Sequence, residues 1–307
     1  MSPLIGIVIL AKDEAHNLRR SLPVILGQEI GHEYEVVVID SGSTDGSVEL
    51  VAGLATDHPN LHLVQIGAHE FHHARTRNRG AELTEARYVV YLGGDAVPTS
   101  RAWLRTLAAP VVDEGSVAAA YGRQLPRPNA GIASLCRMTY NYPDSSRVKD
   151  ASASISPKER YFFSSVNCIV DRARAPHPFF DASIPVNEDV TLSRRLIEDG
   201  HAIAYVADAA VEHSHDYSWW QIVQRYFDNA VTYQRIGIFG AGGERLGDDG
   251  ARYLRIAMRQ LRGRPYADLV RFAAFFACSV VGVQLGMRYR HLPAWLQRRL
   301  SAYGTAA

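Results

Sequence analysis

Acidic side chains follow three apolar runs in this sequence, which occupy residues 4–10, 34–40 and 88–92. Short apolar runs rich in β-branched residues predict buried strands. Carboxylates at strand ends accept hydrogen bonds from a base or a ribose, or hold a divalent cation that neutralises phosphates. These runs therefore predict a site for a metal-bound nucleotide, and its candidate acids are Asp13, Glu14, Asp40, Asp45 and Asp95.

Two glycines, Gly93 and Gly94, precede Asp95. Glycine lacks a Cβ atom, so this pair allows a tight turn or the close approach of a ligand. The alternative is a simple turn in which the Asp side chain hydrogen-bonds to its own backbone. The residues alone leave both interpretations open.

Three arginines, Arg75, Arg77 and Arg79, alternate in a segment that leads into a predicted helix. Guanidinium groups and free backbone N–H groups at a helix start suit a diphosphate. The alternative is a basic face in contact with solvent.

Two further groups have residue types suited to catalysis or metal binding. Glu188 and Asp189 start a predicted helix, where a carboxylate is placed to act as a base but where acids also complement the helix dipole. His213 and His215 alternate at the end of a predicted strand, so both imidazoles lie on one side of the pleat. That arrangement suits a metal, or one metal ligand with a structural partner.

Neither of the two common glycine-rich phosphate loops occurs in the sequence. A dinucleotide-binding domain needs Gly-x-Gly-x-x-Gly after its first strand, and the corresponding turn, residues 11–14, reads Ala-Lys-Asp-Glu. The triphosphate loop Gly-x-x-x-x-Gly-Lys-Ser/Thr is also missing. We therefore expect acids at strand ends, and not glycine loops, to hold the nucleotide.

The elements that must position these groups alternate between strands and helices. Helical spacing of apolar residues follows the first and second runs, and residues 61–66 predict a third strand. Residues 162–170 predict another strand, whose Ser164, Ser165 and Asn167 could face a pocket, and residues 201–206 and 209–211 predict two short strands. Such alternation predicts βαβ units, and the carboxyl edge of a parallel sheet is where ligands bind. We predict an α/β fold with a mostly parallel central sheet flanked by helices.

Composition places the chain among globular proteins, with 307 residues, 47% of them hydrophobic and 21% charged. The length predicts one main domain with a helical appendage. Cys136, Cys168 and Cys278 lie far apart, which argues against a disulfide framework or zinc site and fits a reducing compartment. The N-terminus shows no leader pattern, so we expect a cytoplasmic protein.

The C-terminal part differs in charge from the rest of the chain. Residues 251–307 carry ten arginines and one acid, a net charge of +9, whereas residues 1–250 carry −8. Residues 272–286 are apolar on nearly all sides but fall short of the roughly 20 needed to span a bilayer. We interpret this part as an appendage on the inner, anionic face of the cell membrane, or else as a homo-oligomer interface or ordinary packing. The acidic main body argues against nucleic acid as a partner.

Seven motifs occur in an order that resembles the inverting family 2 glycosyltransferases of the GT-A fold, and more narrowly their bacterial rhamnosyltransferase branch. The resemblance covers residues 4–235 and, more weakly, residues 282–301. In order, the motifs are AKDE at 11–14, VIDSGSTDGS at 38–47, Phe71-x-His-x-x-Thr-Arg-Asn78, Asp95-Ala-x-Pro98, Tyr121-Gly-Arg-Gln124, Asn187-Glu-Asp189, and His213-Ser-His215 with Tyr217.

This resemblance implies a nucleotide-diphosphate sugar as the donor and a divalent metal, Mg²⁺ or Mn²⁺, that bridges its phosphates. The implied metal ligands are Asp95, His213 and His215, and the implied catalytic base is Asp189. By position, Asp13 and Asp40 would contact the base and ribose. The implied nucleotide-sugar-binding residues are Lys12, Asp13, Glu14, Asp40, Arg77, Asn78, Gly94 and Glu188.

The resemblance also implies partners and domains. The acceptor would be a glycan or a lipid-linked molecule, and dTDP-rhamnose is the donor to try first. Residues 1–236 would form the GT-A domain, with a nucleotide-binding half at 1–98 and an acceptor-side half at 99–236 that includes a long polar loop at 129–160. Residues 237–307 would form a basic helical region. The branch commonly has Gln-Asp-Ala where this chain has Gly-Gly-Asp-Ala, and we expect Gly93 to mark a lost donor contact.

Two other functions fit parts of the sequence. A nucleotidyltransferase would need a glycine-rich, basic loop after the first strand, which residues 11–14 do not provide. A non-catalytic binder of nucleotide sugars would use the same fold. The pair Glu188 and Asp189 favours an enzyme, because a binder needs no base for an acceptor.

Overall fold

The computed structural model describes residues 3–238 and 246–304 as an α/β fold built on one nine-stranded sheet. The strands are β1 Ile5–Ala11, β2 Tyr34–Asp40, β3 Leu61–Gln65, β4 Tyr88–Gly93, β5 Val97–Pro98, β6 Ala119–Leu125, β7 Arg147–Lys149, β8 Asn167–Asp171 and β9 Ile203–Glu212. The helices are α1 Ala15–Leu26, α2 Ser47–Ala55, α3 His73–Glu82, α4 Trp103–Val112, α5 Ile132–Asn141, α6 Pro157–Tyr161, α7 Glu188–Glu198, α8 Trp219–Arg235, α9 Leu246–Leu261, α10 Tyr266–Met287 and α11 Ala294–Leu300.

The sheet has the order β3-β2-β1-β4-β8-β6-β9-β5, with β7 paired to β9. The first four strands in this order are parallel, as the sequence predicted. Beyond them β8 runs antiparallel between β4 and β6, while β6 and β9 are parallel again. The α/β class is confirmed, and the sheet is parallel from β3 to β4 but mixed from β8 to β5.

The central strands are apolar because helices cover both faces of the sheet. On one face, Leu18, Leu22 and Ile25 of α1 are fully buried against the core. On the other face α3 comes so close to β1 that a Cβ atom at Gly80 would lie 2.3 Å from Val8 Cγ1. Burying a large aliphatic side chain stabilises a fold by about 1.5–3 kcal/mol. The packing of α1 and α3 on the sheet therefore fixes the strand ends that carry the acids.

Three predicted elements differ from the structure. Residues 129–160 are not simply a loop, since they contain α5, β7 and α6. The strand predicted over residues 162–170 begins only at Asn167. The two short strands predicted near residues 201–211 are the single strand β9, whose pairing with β6 shifts register between Gly122 and Gln124. That irregularity interrupts the alternation of side chains and makes one strand look like two.

The C-terminal helices pack on the main body. A Cβ atom at Gly282 would lie 2.5 Å from the carbonyl oxygen of Val223, and one at Gly286 would lie 2.6 Å from that of Phe227. These two glycines therefore let α10 approach the backbone of α8. A shared apolar cluster also joins α5, α8, α9 and α10, and its members include Ile132, Ile222, Leu261, Phe272 and Phe275.

Helix α10 is longer than the apolar run that the sequence suggested. With 22 residues it has the length and composition to cross a membrane, so the expectation of a shortfall is wrong. Only 28% of its apolar window is buried, and Leu269, Val270, Val280 and Val281 are exposed. Length and composition are weak evidence for a span, because core helices can have both. Cys136, Cys168 and Cys278 are free thiols.

Candidate active site

A cleft of about 580 Å³ opens at the carboxyl ends of β1 and β4. It lies between the sheet edge, the start of α7 and the loop that follows β9. Strand ends supply the acids and α7 supplies a carboxylate pair, so groups distant in sequence face one space. The predicted site residues that line it are Glu14, Arg77, Gly94, Asp95, Glu188, Asp189, His213 and His215.

Asp95, His213 and His215 form one cluster in this cleft. Asp95 Oδ2 lies 3.2 Å from His213 Nε2 and 3.0 Å from His215 Nε2. One ligand atom from each residue falls within 4.8 Å of the other two. Asp95 lies in the turn between β4 and β5, and the two histidines follow the end of β9. Because β5 pairs with β9, the three side chains meet.

The tautomer of His213 follows from its neighbours. Gln124 Nε2 donates to Ser164 Oγ at 2.8 Å, so its Oε1 is the atom 2.8 Å from His213 Nδ1. That nitrogen therefore carries the proton, which leaves a lone pair on Nε2. Burial lowers the pKa of His213, although the Asp95 carboxylate opposes this shift. A neutral ring with a free Nε2 is the form that binds metal.

These residues fit a divalent cation. Asp95 Oδ2 is buried without a hydrogen bond, although the two imidazole nitrogens are near. Burial acts to raise the pKa of Asp95, but the neighbouring imidazoles of His213 and His215 outweigh burial and hold the pKa well below its usual range. An ionised carboxylate with two imidazole nitrogens suits Mn²⁺ more than Mg²⁺, which prefers oxygen ligands.

Asp189 faces the same cleft from the first turn of α7. Its Oδ2 accepts a hydrogen bond from Ser165 N at 3.0 Å, and its Oδ1 accepts one from Val190 N at 2.8 Å. Burial, followed by the charge of Glu188, raises the pKa of Asp189 to about 6. A carboxylate with a pKa near neutrality is well matched to accept a proton.

Arg77 forms an ion pair with Glu188 across the cleft. Its guanidinium also lies 5.7 Å from the centre of the Phe180 ring. Of the three alternating arginines only Arg77 lines the cleft, whereas Arg75 and Arg79 are exposed. Glu14 lines the cleft and accepts a hydrogen bond from Asn17 at 2.6 Å, and burial raises its pKa.

Four predicted binding residues do not line the cleft. Lys12 is exposed. Asp13 has a φ of 54° and accepts a hydrogen bond from Thr44 N at 2.7 Å. Asp40 accepts from Gly42 N and Ser43 N, both at 3.0 Å. Asn78 bonds to the backbone of Phe180 in both directions, at 2.8 and 3.0 Å.

These contacts use the polar atoms of Asp13, Asp40 and Asn78 within the protein. For Asp95 the sequence left open a simple turn in which the carboxylate bonds to its own backbone. That kind of turn occurs at Asp40. Direct contacts of these residues and Lys12 with a donor stay predictions.

The glycines before Asp95 have different surroundings. Gly94 is the residue directly before Asp95, and a Cβ atom there would lie 2.7 Å from the carbonyl oxygen of Leu10. A side chain such as Gln does not fit at position 94 without moving β1 or the turn. A Cβ atom at Gly93 would lie 3.0 Å from Asp95 Oδ1. Gly94 is thus the position that excludes a side chain. The loss of a donor contact that the sequence suggested at Gly93 stays a prediction.

Sequence reasoning missed several polar residues that line the cleft, among them two arginines and a tyrosine. Arg137 lies on α5, Arg225 on α8, and Tyr303 near the C-terminus. None belongs to a motif, and only the tertiary fold brings them to the site. Ser164 and Ser165 were expected to face a pocket, and both line this cleft.

Comparison with known proteins gives a consistent family. The family model described as glycosyl transferase family 2 matches residues 6–162. The O-antigen chain rhamnosyltransferase WbaN of Salmonella anatum is 30% identical over 283 residues, covering 88% of this chain and 84% of WbaN. RfbN of Salmonella typhimurium, described in the same words, is also 30% identical, covering 88% of this chain and 85% of RfbN.

Solved structures share the fold at low identity. The mannosyltransferase PcManGT from Pyrobaculum calidifontis, in complex with GDP-Man and Mn²⁺, has a TM-score of 0.60 at 17% identity, covering 94% of this chain and 88% of that one. TarS residues 1–349 of S. aureus, in complex with UDP-GlcNAc, has a TM-score of 0.54 at 12% identity, covering 94% and 91%. The fold predicted from the sequence, of GT-A type with C-terminal helices, is confirmed.

Proposed function

Because this chain belongs to glycosyl transferase family 2, we propose that it transfers a sugar with inversion and metal assistance, from a nucleotide-diphosphate sugar to a hydroxyl of an acceptor. The acceptor is a glycan or a lipid-linked molecule. One observation carries the proposal. The cluster of Asp95, His213 and His215 and the carboxylate of Asp189 line one cleft from separate elements.

The residues divide the reaction between the two sides of the donor sugar. Asp189 accepts the proton of the acceptor hydroxyl, whose oxygen bonds to the anomeric carbon as the bond from that carbon to the diphosphate oxygen breaks. Ser165 N holds the carboxylate in place, and Arg77 balances the adjacent charge of Glu188. Asp95, His213 and His215 would hold the cation. When bound, Mg²⁺ or Mn²⁺ neutralises charge on the departing diphosphate.

The donor is proposed from similarity. WbaN and RfbN are described as rhamnosyltransferases, so dTDP-rhamnose is the first candidate. PcManGT and TarS were solved with GDP-Man and with UDP-GlcNAc, which makes the nucleotide base an experimental question.

A thermal-shift panel tests the proposal. It compares dTDP-rhamnose, UDP-GlcNAc and GDP-mannose, each with and without Mn²⁺. A ligand that binds only the folded state stabilises it by about 2.7 kcal/mol at a hundredfold excess over Kd. We expect one donor to raise the melting temperature, and only when Mn²⁺ is present. A flat panel would count against a nucleotide-sugar site.

Transfer assays distinguish the proposed function from two others. A non-catalytic binder would respond in the panel but release no nucleotide diphosphate in the presence of acceptors. The cleft position of Asp189 favours an enzyme. A nucleotidyltransferase would release pyrophosphate from a nucleoside triphosphate, and the turn between β1 and α1, which has no glycine, gives this reaction no phosphate loop.

We further propose a cytoplasmic protein that associates peripherally with the inner face of the membrane. Large apolar side chains are exposed in and near the C-terminal helices, among them Met258, Tyr266 and Trp295. The same part of the chain, residues 251–307, contains ten arginines. The same surface also suits a homo-oligomer interface, so the experiment must distinguish a lipid bilayer from a second copy of the chain.

A further inference from the structure

Two arginines of the cleft have no part in the proposed chemistry. Arg225 lies 4.4 Å from the centre of the Tyr217 ring, and Arg137 lies 5.5 Å from it. Within the described part of the chain, neither arginine has a carboxylate at ion-pair distance, although each is half-buried. Two guanidinium groups beside one ring, without a counter-charge, are suited to an anionic ligand.

The C-terminal segment completes this part of the cleft. Asp228 of α8 is fully buried and accepts hydrogen bonds from Ser301 Oγ at 2.6 Å and from Ala302 N at 2.8 Å. This holds Tyr303 at the cleft, where its hydroxyl accepts a hydrogen bond from Arg225 Nη1 at 2.5 Å. Arg225 is therefore fixed between two tyrosines, with other N–H donors left for a ligand.

A mainly apolar groove of about 260 Å³ adjoins Arg137. It shares Arg137, His215 and Tyr217 with the cleft, so these residues separate two adjoining spaces. Beyond the shared residues its walls are mainly apolar side chains of α5, α8 and α10, including Ile132, Trp219, Ile222 and Phe275. Two charged residues, Asp216 and Arg271, also line it. A ligand that filled both spaces would have a charged group at the arginines and a hydrocarbon part in the groove.

We propose that Arg137 and Arg225 bind a phosphate group of the acceptor, and that the adjoining groove receives the start of the hydrocarbon chain attached to that phosphate. The inference rests on the proposed function and names its acceptor class, a phosphate-linked amphiphile. The donor is the other possible source of phosphate. Its nucleoside and sugar are both polar, however, so neither explains an apolar groove next to the arginines.

Binding of simple probes tests this site separately from catalysis. The probes are farnesyl diphosphate, inorganic diphosphate, farnesol, and dTDP with Mn²⁺, each titrated into the full chain by calorimetry. We expect farnesyl diphosphate to bind at least tenfold more tightly than diphosphate or farnesol. Since hydrogen bonds to charged groups contribute about 1.5–3 kcal/mol, Arg225→Gln and Arg137→Gln should each weaken farnesyl diphosphate roughly 10- to 100-fold. Neither substitution should change the affinity for dTDP with Mn²⁺.

A matched control is Arg290→Gln. Arg290 lies 5.7 Å from the Tyr289 ring, so it also stacks on a tyrosine but lies outside the cleft and the groove. We expect this variant to bind all probes as the wild type does. Ile222→Ser should weaken farnesyl diphosphate while leaving diphosphate unchanged, because only the chain contacts the groove.

Three results would overturn the inference. One is equal binding of farnesyl diphosphate to the wild type and both arginine variants. Another is a loss of dTDP binding in these variants, which would assign the arginines to the donor. The third is equal weakening by the Arg290 variant, which would indicate nonspecific attraction. Failure of the proposed function would differ from all three, because the wild type itself would then show no Mn²⁺-dependent binding of any nucleotide sugar.

Discussion

At the scale of single residues, Asp189 has the environment that a base requires. Burial and the charge of Glu188 raise its pKa to about 6, while the backbone N–H of Ser165 fixes one carboxylate oxygen. The ion pair between Arg77 and Glu188 limits the repulsion between the neighbouring acids. Asp189 is therefore mostly ionised at neutral pH and still basic enough to accept a proton.

Replacing Asp189 by Asn should stop transfer but spare donor binding. The amide keeps the shape of the side chain and cannot act as a base, so we expect the turnover rate to fall about 10²- to 10⁴-fold. Release of nucleotide diphosphate measures the rate, and calorimetry measures the donor. Asp199→Asn, at the exposed far end of the same helix, is the matched control. Normal transfer by the Asp189 variant would remove this residue from the role of base.

The pH dependence follows from the same group. Because the pKa of Asp189 is raised to about 6 and its ionised form is active, kcat/KM should decline as the pH falls through 6. The slope should approach tenfold per pH unit below that point. A profile of kcat/KM against pH checks this, and a curve that stays level through pH 6 would contradict it.

Residue types indicated which side chains meet in the cleft better than they indicated the contacts of the predicted donor-binding residues. A carboxylate or imidazole that follows a strand must lie at the sheet edge, which explains why Asp95, His213 and His215 meet. The hydrogen-bond partner of a carboxylate does not follow from such a pattern. Asp13 bonds to Thr44, a residue 31 positions away, and nothing local to Asp13 indicates that contact.

At the scale of elements, the turn after β4 determines where Asp95 lies. Gly94 N donates to the carbonyl oxygen of Leu10 at 3.0 Å, so the turn is bound directly to β1. This close approach is possible because residue 94 has no side chain.

Gly94→Ala should displace the turn and with it Asp95. The added Cβ atom would lie 2.7 Å from the carbonyl oxygen of Leu10, and such overpacking costs about 1–3 kcal/mol. We expect a lower free energy of unfolding in urea and weaker Mn²⁺-dependent nucleotide binding. The control is Gly53→Ala in α2, where a Cβ atom meets nothing within 4 Å. Similar losses in both variants would show that the turn has no special role.

Elements with strong local patterns were predictable, and those that depend on distant pairing were not. The runs that became β1, β2, β3 and β4 are continuous and apolar. Helix α5 was missed because its N-cap is Gly131, which offers no capping side chain, and because Ser134 is one of its buried residues. The antiparallel pairing of β8 with β4 and β6 joins segments that are far apart in sequence, so no local pattern predicts it.

At the scale of the whole molecule, positive charge and exposed apolar side chains are concentrated at the C-terminal helices. Exposed Leu254 and Met258 of α9 are each followed by an exposed arginine, Arg255 and Arg259, and exposed Arg262 comes directly after the helix. Basic residues near an anionic membrane contribute about 1 kcal/mol each, and the apolar side chains add to that attraction.

Vesicle flotation tests the membrane proposal. We expect the wild type to float with vesicles rich in phosphatidylglycerol at low salt but not with neutral vesicles. Replacing Arg255, Arg259 and Arg262 by Gln should abolish flotation. The matched control replaces Arg19, Arg75 and Arg105, which are exposed on the main body, by Gln. Equal flotation of both triple variants would refute a specific membrane face, and a dimer that never floats would favour the oligomer interface.

The central claim is that Asp95, His213 and His215 hold a divalent cation for a nucleotide diphosphate. Electron paramagnetic resonance measures it directly, because free Mn²⁺ gives a signal that is lost on binding. In the presence of dTDP, UDP or GDP, the wild type should deplete the free Mn²⁺ signal, whereas Asp95→Ala should leave it close to that of buffer. Equal depletion by the wild type and the Asp95 variant would contradict the account.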